Sequence, residues 1–191
     1  MMYDENYYKT GNYVDYMQSN KKKMYLTGAD IIEAIEPKLR KGMVLDFGCS
    51  VGHLVEYFSA NGYDARGVDI SDWAVEQAKE KGLNVSKTLD ISVEYDIVTA
   101  LDVFEHMEID DLSELLANLK TNTIVFRVPI CLDGEDDYHL EVSRNDPTHI
   151  IRWTRDQWEF LFMFHGYSCT DLNMENIYCG PGGYSAIAKK V

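Results

Sequence analysis

Three kinds of residue in this chain can carry chemistry: a glycine-rich turn with a carboxylate beside it, a second carboxylate about twenty positions on, and a few histidines. The turn Asp46-Phe47-Gly48-Cys49-Ser50-Val51-Gly52 closes the apolar run Val44 to Phe47. It leads into Val51, Leu54, Val55 and Phe58 at the i, i+3, i+4, i+7 spacing of a helix face. It is therefore expected between a strand and a helix, where glycine lets the backbone touch a ligand that a side chain would block. Asp69 follows Gly48 by 21 positions, close to the ~20 at which a carboxylate accepts the ribose hydroxyls of an adenosine.

Two adenosine cofactors fit these landmarks, and the turn separates them. A dinucleotide turn seats a pyrophosphate on a helix N-terminus with Gly-x-Gly-x-x-Gly. Here Ser50 takes the place of the second glycine, and Asp46 adds negative charge beside the turn. That carboxylate opposes a pyrophosphate and favours the ammonium of a methionine moiety. The expected cofactor is S-adenosylmethionine.

Methyl transfer from a sulfonium is an in-line displacement of an excellent leaving group, so alignment and exclusion of water supply much of the rate. A base is needed chiefly when the acceptor is a hydroxyl, and it should be a histidine or carboxylate near the methyl. The available groups are His149, His139, His106 and Asp102. His149 comes first and His139 second, because both lie in the polar, acidic stretch Cys131 to Arg152 and outside any apolar helix pattern. Asp102, at the tip of the fourth strand, completes the expected catalytic set. His106 follows Glu105 at a helix start and reads as structural.

No metal is expected: Asp102, Asp137, His139, Glu141, Asp146 and His149 lack the tight spacing of a metal site. The cysteines Cys49, Cys131, Cys169 and Cys179 form no Cys-x-x-Cys pair and read as free thiols.

The elements that must position these groups alternate. Strands are expected over 44–47, 65–69, 84–87, 96–101 and 123–128, the last closed by Pro129. Between them run helices marked by Val51 to Phe58, by Trp73, Ala74, Val75 and Ala78 behind the cap Ser71, and by Leu112, Leu115, Leu116 and Leu119. Gly62 and Gly82 suit the helix ends. Such alternation means parallel strand–helix–strand units with helices on both faces of the sheet. The stretch 131–152 is long for a connection and is assigned to the acceptor. Thr154 with Gln157 forms a capping box opening a helix to His165, and two strands follow, about 167–174 and 184–189. Upstream, Ile31, Ile32 and Ile35 mark a helix, and Tyr3, Tyr7, Tyr8, Tyr13, Tyr16 and Tyr25 could form a lid or simply pack on the core. Lys21 to Lys23 could meet the phosphates of a nucleotide-linked substrate or be a solvated run.

VLDFGCSVG, GVDIS, Leu89-Asp90 and YDIVTALDVFEHM at 95–107 resemble successive motifs of the class I S-adenosylmethionine-dependent methyltransferases, in order and spacing over about 44–130. His149-Ile150-Ile151-Arg152-Trp153-Thr154 and the segment Trp158 to Gly166 resemble the tail of small-molecule members, of the ubiquinone-type and sugar methyltransferase kind. The resemblance implies a Rossmann-like doubly wound α/β fold, a seven-stranded mostly parallel sheet with the last strand inserted antiparallel. It implies Asp46, Gly48 and Gly52 around the methionine end, Asp69 on the ribose, Asp90 and Ile91 near the adenine, and Leu101 with Asp102 lining the floor; Cys49, Ser50 and Ile70, beside these motif residues, are expected to bind the cofactor as well.

The bulk numbers agree with one such domain over 1–191, divided into an N-terminal lid or helical segment (1–40), a cofactor half (41–130), an acceptor loop (131–152) and a C-terminal helix and strands (153–191). The chain has 191 residues, 46% of them hydrophobic, and a net charge of −14. That sign disfavours nucleic acid, whose binding comes from neutralising phosphates. No run is long enough for a membrane span, and Asp4, Glu5 and Asn6 interrupt the start where an export signal needs apolar residues, so a cytoplasmic location is expected. The expected function is O-methylation of a small hydroxylated or sugar-like metabolite, including a nucleotide-linked sugar. N-methylation of a small amine, a cofactor-binding module without turnover and an NAD-dependent oxidoreductase are the alternatives.

Overall fold

The computed structural model describes residues 3–9, 16–35, 42–173, 176–177 and 180–191, without the side chains of 16–19. Tyr13, the side chain of Tyr16, and Cys179 lie outside the described residues. Two compact units make up the chain, Met1–Thr99 and Ala100–Val191, the division falling inside the fourth strand.

The first unit begins with helix α1 (Tyr16–Ala34), which carries the predicted Ile31. Strand β1 (Met43–Phe47), helix α2 (His53–Ala60), strand β2 (Asp64–Val68), helix α3 (Asp72–Glu80) and the short strand β3 (Val85–Ser86) follow in the expected order. Leu54, Val55 and Phe58 bury the predicted face of α2, and Val44 and Leu45 are fully buried in β1. Each such side chain contributes roughly 1.5–3 kcal/mol relative to exposure. Ser71 caps α3 by accepting the Ala74 N–H at 3.1 Å, as its residue type requires. β1 pairs in parallel with β2 and with β4 (Ile97–Leu101), setting Asp46 opposite Gly67 on one side and Thr99 on the other.

The second unit opens on the end of β4 and a 3-10 turn, Phe104–His106. Helix α4 (Ile109–Asn118), strand β5 (Thr123–Pro129), the one-turn helix α5 (Glu141–Arg144), helix α6 (Arg155–Phe164) and strands β6 (Tyr167–Asp171) and β7 (Gly183–Lys190) complete it. The capping box of Thr154 and Gln157 forms at the start of α6. Phe126 stacks on Phe162 at 4.3 Å, with Phe104 packed beside both. Among the described residues seven strands order β3-β2-β1-β4-β5-β7-β6, and β7 runs antiparallel to both β5 and β6. The fold is the Rossmann-like one expected, with the last strand inserted antiparallel.

The stretch 131–152 is more folded than its polarity suggests. Tyr138 is buried and its hydroxyl donates to the Ile151 carbonyl at 2.6 Å, while Arg144 donates to the carbonyls of Tyr138 and His139. Hydrogen bonds of this kind, the Tyr138 one buried, give a polar segment a fixed path that apolar periodicity cannot reveal.

Candidate active site

The glycine turn of the first unit is built from backbone that few residues adopt. Gly48 and Gly52 have φ of 77° and 79°, and Ser50, the departure from the usual pattern, takes φ 49°. A serine in this left-handed region costs about 1–2 kcal/mol, so the surrounding bonds must impose the conformation. Gly48 and Cys49 both donate to the Val68 carbonyl at the end of β2, at 2.8 and 3.0 Å. The Ser50 N–H donates to Asp69 Oδ2 at 2.7 Å.

Asp69 is thus part of the framework of the turn. Its other oxygen accepts the Ser71 N–H at 2.8 Å, at the N-cap of α3. The side chain ties the turn to the helix that follows β2, and only 9% of the residue is exposed. Burial pushes its carboxyl above the ordinary range, with the two N–H donors pulling it back. Each carboxylate oxygen retains a second lone pair for a hydroxyl.

Asp46 lies at the mouth of the same turn. It is buried, accepts the Thr99 hydroxyl at 2.7 Å, and is pushed up to about 7, first by burial and then by the charge of Asp69, while the Thr99 bond opposes the shift. Cys49, also buried, is raised by burial and by the same two carboxylates, and so stays a thiol. Close approach is enforced from β2: a Cβ on Gly67 would lie 2.6 Å from Cys49 Sγ and 2.9 Å from Val55. The sequence offers Gly67 only as the first residue of the GVDIS motif, because a glycine inside a strand signals close backbone approach only once the neighbour is known.

Ile70 and Ile91 are both exposed, at 65% and 53%, although large and apolar. Asp90 accepts the N–H and hydroxyl of Ser92 at 2.9 and 2.6 Å, forming a tight turn before Ile91. The N-terminal tyrosines pack close to this side. Tyr8 stacks on Trp73 at 5.1 Å, and the Tyr3 carbonyl accepts the Ser71 hydroxyl at 2.6 Å. Lys21 pairs with Glu56 at 2.8 Å.

In the second unit the predicted acid–base residues have different partners. Asp102, at the end of β4, takes a left-handed φ of 57° and is held from both sides: its N–H donates to the Arg127 carbonyl, and its carboxylate receives the Arg127 guanidinium in a two-point pair. Arg127 itself is buried in β5. His139 is half-exposed and bonds Glu135 at 3.0 Å.

His149 is only 9% exposed. Its ring lies 4.6 Å from that of His106 and 5.4 Å from that of Tyr138. Its Nε2 is 3.7 Å from Asp146 and 3.9 Å from Glu105. Burial lowers the pKa of His149, opposed by the charges of Asp146 and Asp102. Burial and His149 together lower that of His106, whose Nδ1 sits against the Thr148 hydroxyl at 2.7 Å and carbonyl at 3.2 Å. Burial works against the charge of Asp146, but the Thr148 hydroxyl and N–H hold its carboxyl below the ordinary range.

The group that sequence reasoning missed is Glu105. It is 0% exposed, burial raises its carboxyl well above the ordinary range, and its carbonyl accepts the N–H groups of Ile150 and Ile151. Those two bonds bring His149 to the turn that carries Glu105 and His106. The sequence signal was Glu-His at the end of a strand, which is indistinguishable from a helix start until the partner 43 positions away is in place.

Comparisons with known proteins agree with this architecture. No curated protein matches the sequence. Among solved structures, a SAM-dependent methyltransferase from Archaeoglobus fulgidus superposes with a TM-score of 0.65 at 24% identity, covering 92% of this chain and 99% of that one. A S-adenosylmethionine-dependent methyltransferase from Clostridium acetobutylicum gives 0.67 at 15% identity over 97% and 96%. Magnesium protoporphyrin IX methyltransferase from Synechocystis, with bound SAH, gives 0.65 at 18% over 97% and 91%. These likenesses concern the fold. A family model described as a methyltransferase domain matches residues 17–172, most of the chain, and the chain therefore belongs to the methyltransferase domain family.

Proposed function

We propose that this methyltransferase takes its methyl group from S-adenosylmethionine and places it on a hydroxyl oxygen of a small, sugar-like acceptor. The observation that carries the donor is the turn 48–52, held open in left-handed backbone between two buried carboxylates, Asp46 and Asp69. Carboxylates on both sides suit an ammonium and a ribose and disfavour a pyrophosphate. Ile91 offers exposed apolar surface for an adenine, at the expected place in the chain, and Ile70 adds exposed apolar surface next to Asp69. The S-adenosylmethionine bound or named in structures of similar fold supports the same reading.

The acceptor side rests on the buried group of Glu105, His106 and His149, which activates the acceptor hydroxyl. The displacement then balances simply: the oxygen lone pair forms the bond to the methyl carbon, the carbon–sulfur pair returns to sulfur, and the hydroxyl proton leaves to solvent. His139 and Asp102 take lesser parts, His139 as a rim residue bonded to Glu135 and Asp102 as the partner of Arg127.

The test is transfer of labelled methyl from S-adenosylmethionine into fractionated metabolites, followed by identification of the labelled product. An O-methyl ether is the expected product. An N-methylated product, with turnover unchanged in His149→Ala, overturns the hydroxyl assignment. Calorimetric binding of NAD without binding of S-adenosylmethionine overturns the donor.

A further inference from the structure

Glu105 occupies a position that a lone carboxylate does not tolerate. It is wholly buried, and neither carboxylate oxygen has a hydrogen-bond partner among the described residues. Buried carboxyl groups are normally paired, hydrogen-bonded or coordinated to a metal. The nearest basic side chain among the described residues, His149, has its Nε2 3.9 Å from Oε1, beyond a hydrogen bond.

The groups around it have the composition of a metal site. One ligand atom from each of Glu105, His106 and His149 lies within 4.8 Å of the other two. An ion at about 2.1 Å from each donor requires separations of roughly 3 to 4 Å, which small side-chain rotations reach. Thr148 holds the Nδ1 of His106 with its carbonyl and hydroxyl, the arrangement that orients a ligating imidazole to present Nε2. Asp146 Oδ2 lies 3.7 Å from His149 Nε2, a further acidic group beside the second imidazole.

We propose that Glu105, His106 and His149 bind a divalent first-row transition-metal ion. Two imidazoles and one carboxylate favour zinc, manganese, iron or cobalt over magnesium or calcium, which prefer all-oxygen sites. Three protein ligands leave open coordination positions, and an acceptor hydroxyl in one of them gains acidity from the ion. This role rests on the function proposed above; the binding itself does not.

The test uses the full chain, stripped with a chelator and titrated with Co(II), read by visible ligand-field bands and by metal analysis after dialysis. One equivalent per chain is expected, with His139→Ala binding like the wild type. Losing a ligand must cost at least what losing a supporting partner costs, so Glu105→Gln and His149→Ala should each weaken binding by about 10- to 100-fold or more. Circular dichroism of both variants checks that the fold is kept. Absence of ligand-field bands, or equal affinity in wild type and Glu105→Gln, overturns the site. Because the readout needs neither donor nor acceptor, failure of the methyl-transfer reading leaves it standing. If Co(II) binds as expected but chelation leaves methyl transfer unchanged, the activating role is overturned.

Discussion

Asp46 faces two demands that pull its proton in opposite directions. Burial holds its carboxyl near pH 7 in the protein alone, whereas the ammonium we propose beside it requires the ionised form. A carboxyl raised from about 4 makes the folded state bind more protons than the unfolded chain. Its stabilising contribution is therefore full below pH 4 and is lost as pH rises through about 7. Thermal unfolding across that window should show the loss in the wild type and a flatter profile in Asp46→Asn. Donor affinity should move the other way, weakening about tenfold per unit as pH falls below 7 because the proton must be expelled; calorimetry at several pH values reads the slope, and its persistence in Asp46→Asn would assign it elsewhere. Asp69 carries a second residue-level prediction. Because it accepts two backbone N–H groups in addition to its proposed place at the ribose, Asp69→Ala should lower stability by about 1–3 kcal/mol for each buried amide left unpaired. Asp69→Asn keeps one acceptor oxygen and should lose less. Denaturant unfolding that matches the wild type in both variants would make Asp69 a ligand residue only.

The glycine turn works because β2 lets it come close. Gly67 sits opposite Asp46 in the β1–β2 pairing, and the space above it is filled by Cys49 and Val55. Gly67→Ala places a methyl group against a thiol that cannot retreat, since Cys49 is buried and its N–H is bound to Val68. Overpacking of this kind costs about 1–3 kcal/mol. The displaced turn should also lose donor affinity. Adding Cys49→Ala to Gly67→Ala vacates the thiol volume and should recover part of both losses, a coupling expected only of residues in contact. Equal losses in the single and double variants would show that the turn is held by its hydrogen bonds alone. The cap of α3 is a separate element-level device, and Ser71→Ala should cost about 1 kcal/mol in a thermal melt.

At the scale of the molecule the two units carry separable tasks on the proposed reading. Asp46, the turn 48–52 and Asp69 belong to the first unit, and Glu105, His106 and His149 to the second. S-adenosylmethionine and its demethylated product should raise the melting temperature while NAD does not, a hundredfold excess over Kd stabilising by about 2.7 kcal/mol. His149→Ala should leave that shift nearly intact and reduce single-turnover methyl transfer by about 10²- to 10⁴-fold. Loss of both together would mean that the second unit also holds the donor.

The order of strands and helices, the turn 46–52, the cap at Ser71, the capping box at Thr154 and the spacing of Asp69 were legible in the sequence, because each depends on local backbone chemistry or on the period of apolar residues. The antiparallel insertion of β7 came from family resemblance and not from any local signal. What only the tertiary structure decided was which polar side chains meet. His149 and His139 lie ten positions apart in one acidic stretch, yet one is buried against Glu105 and the other bonds Glu135 near the surface. His106, whose pattern reads as structural, stands beside His149, because the Glu105 carbonyl binds Ile150 and Ile151. Local propensity carries no trace of a contact that two distant segments make through three backbone atoms. Such contacts exist only after the core has set the path of the loop.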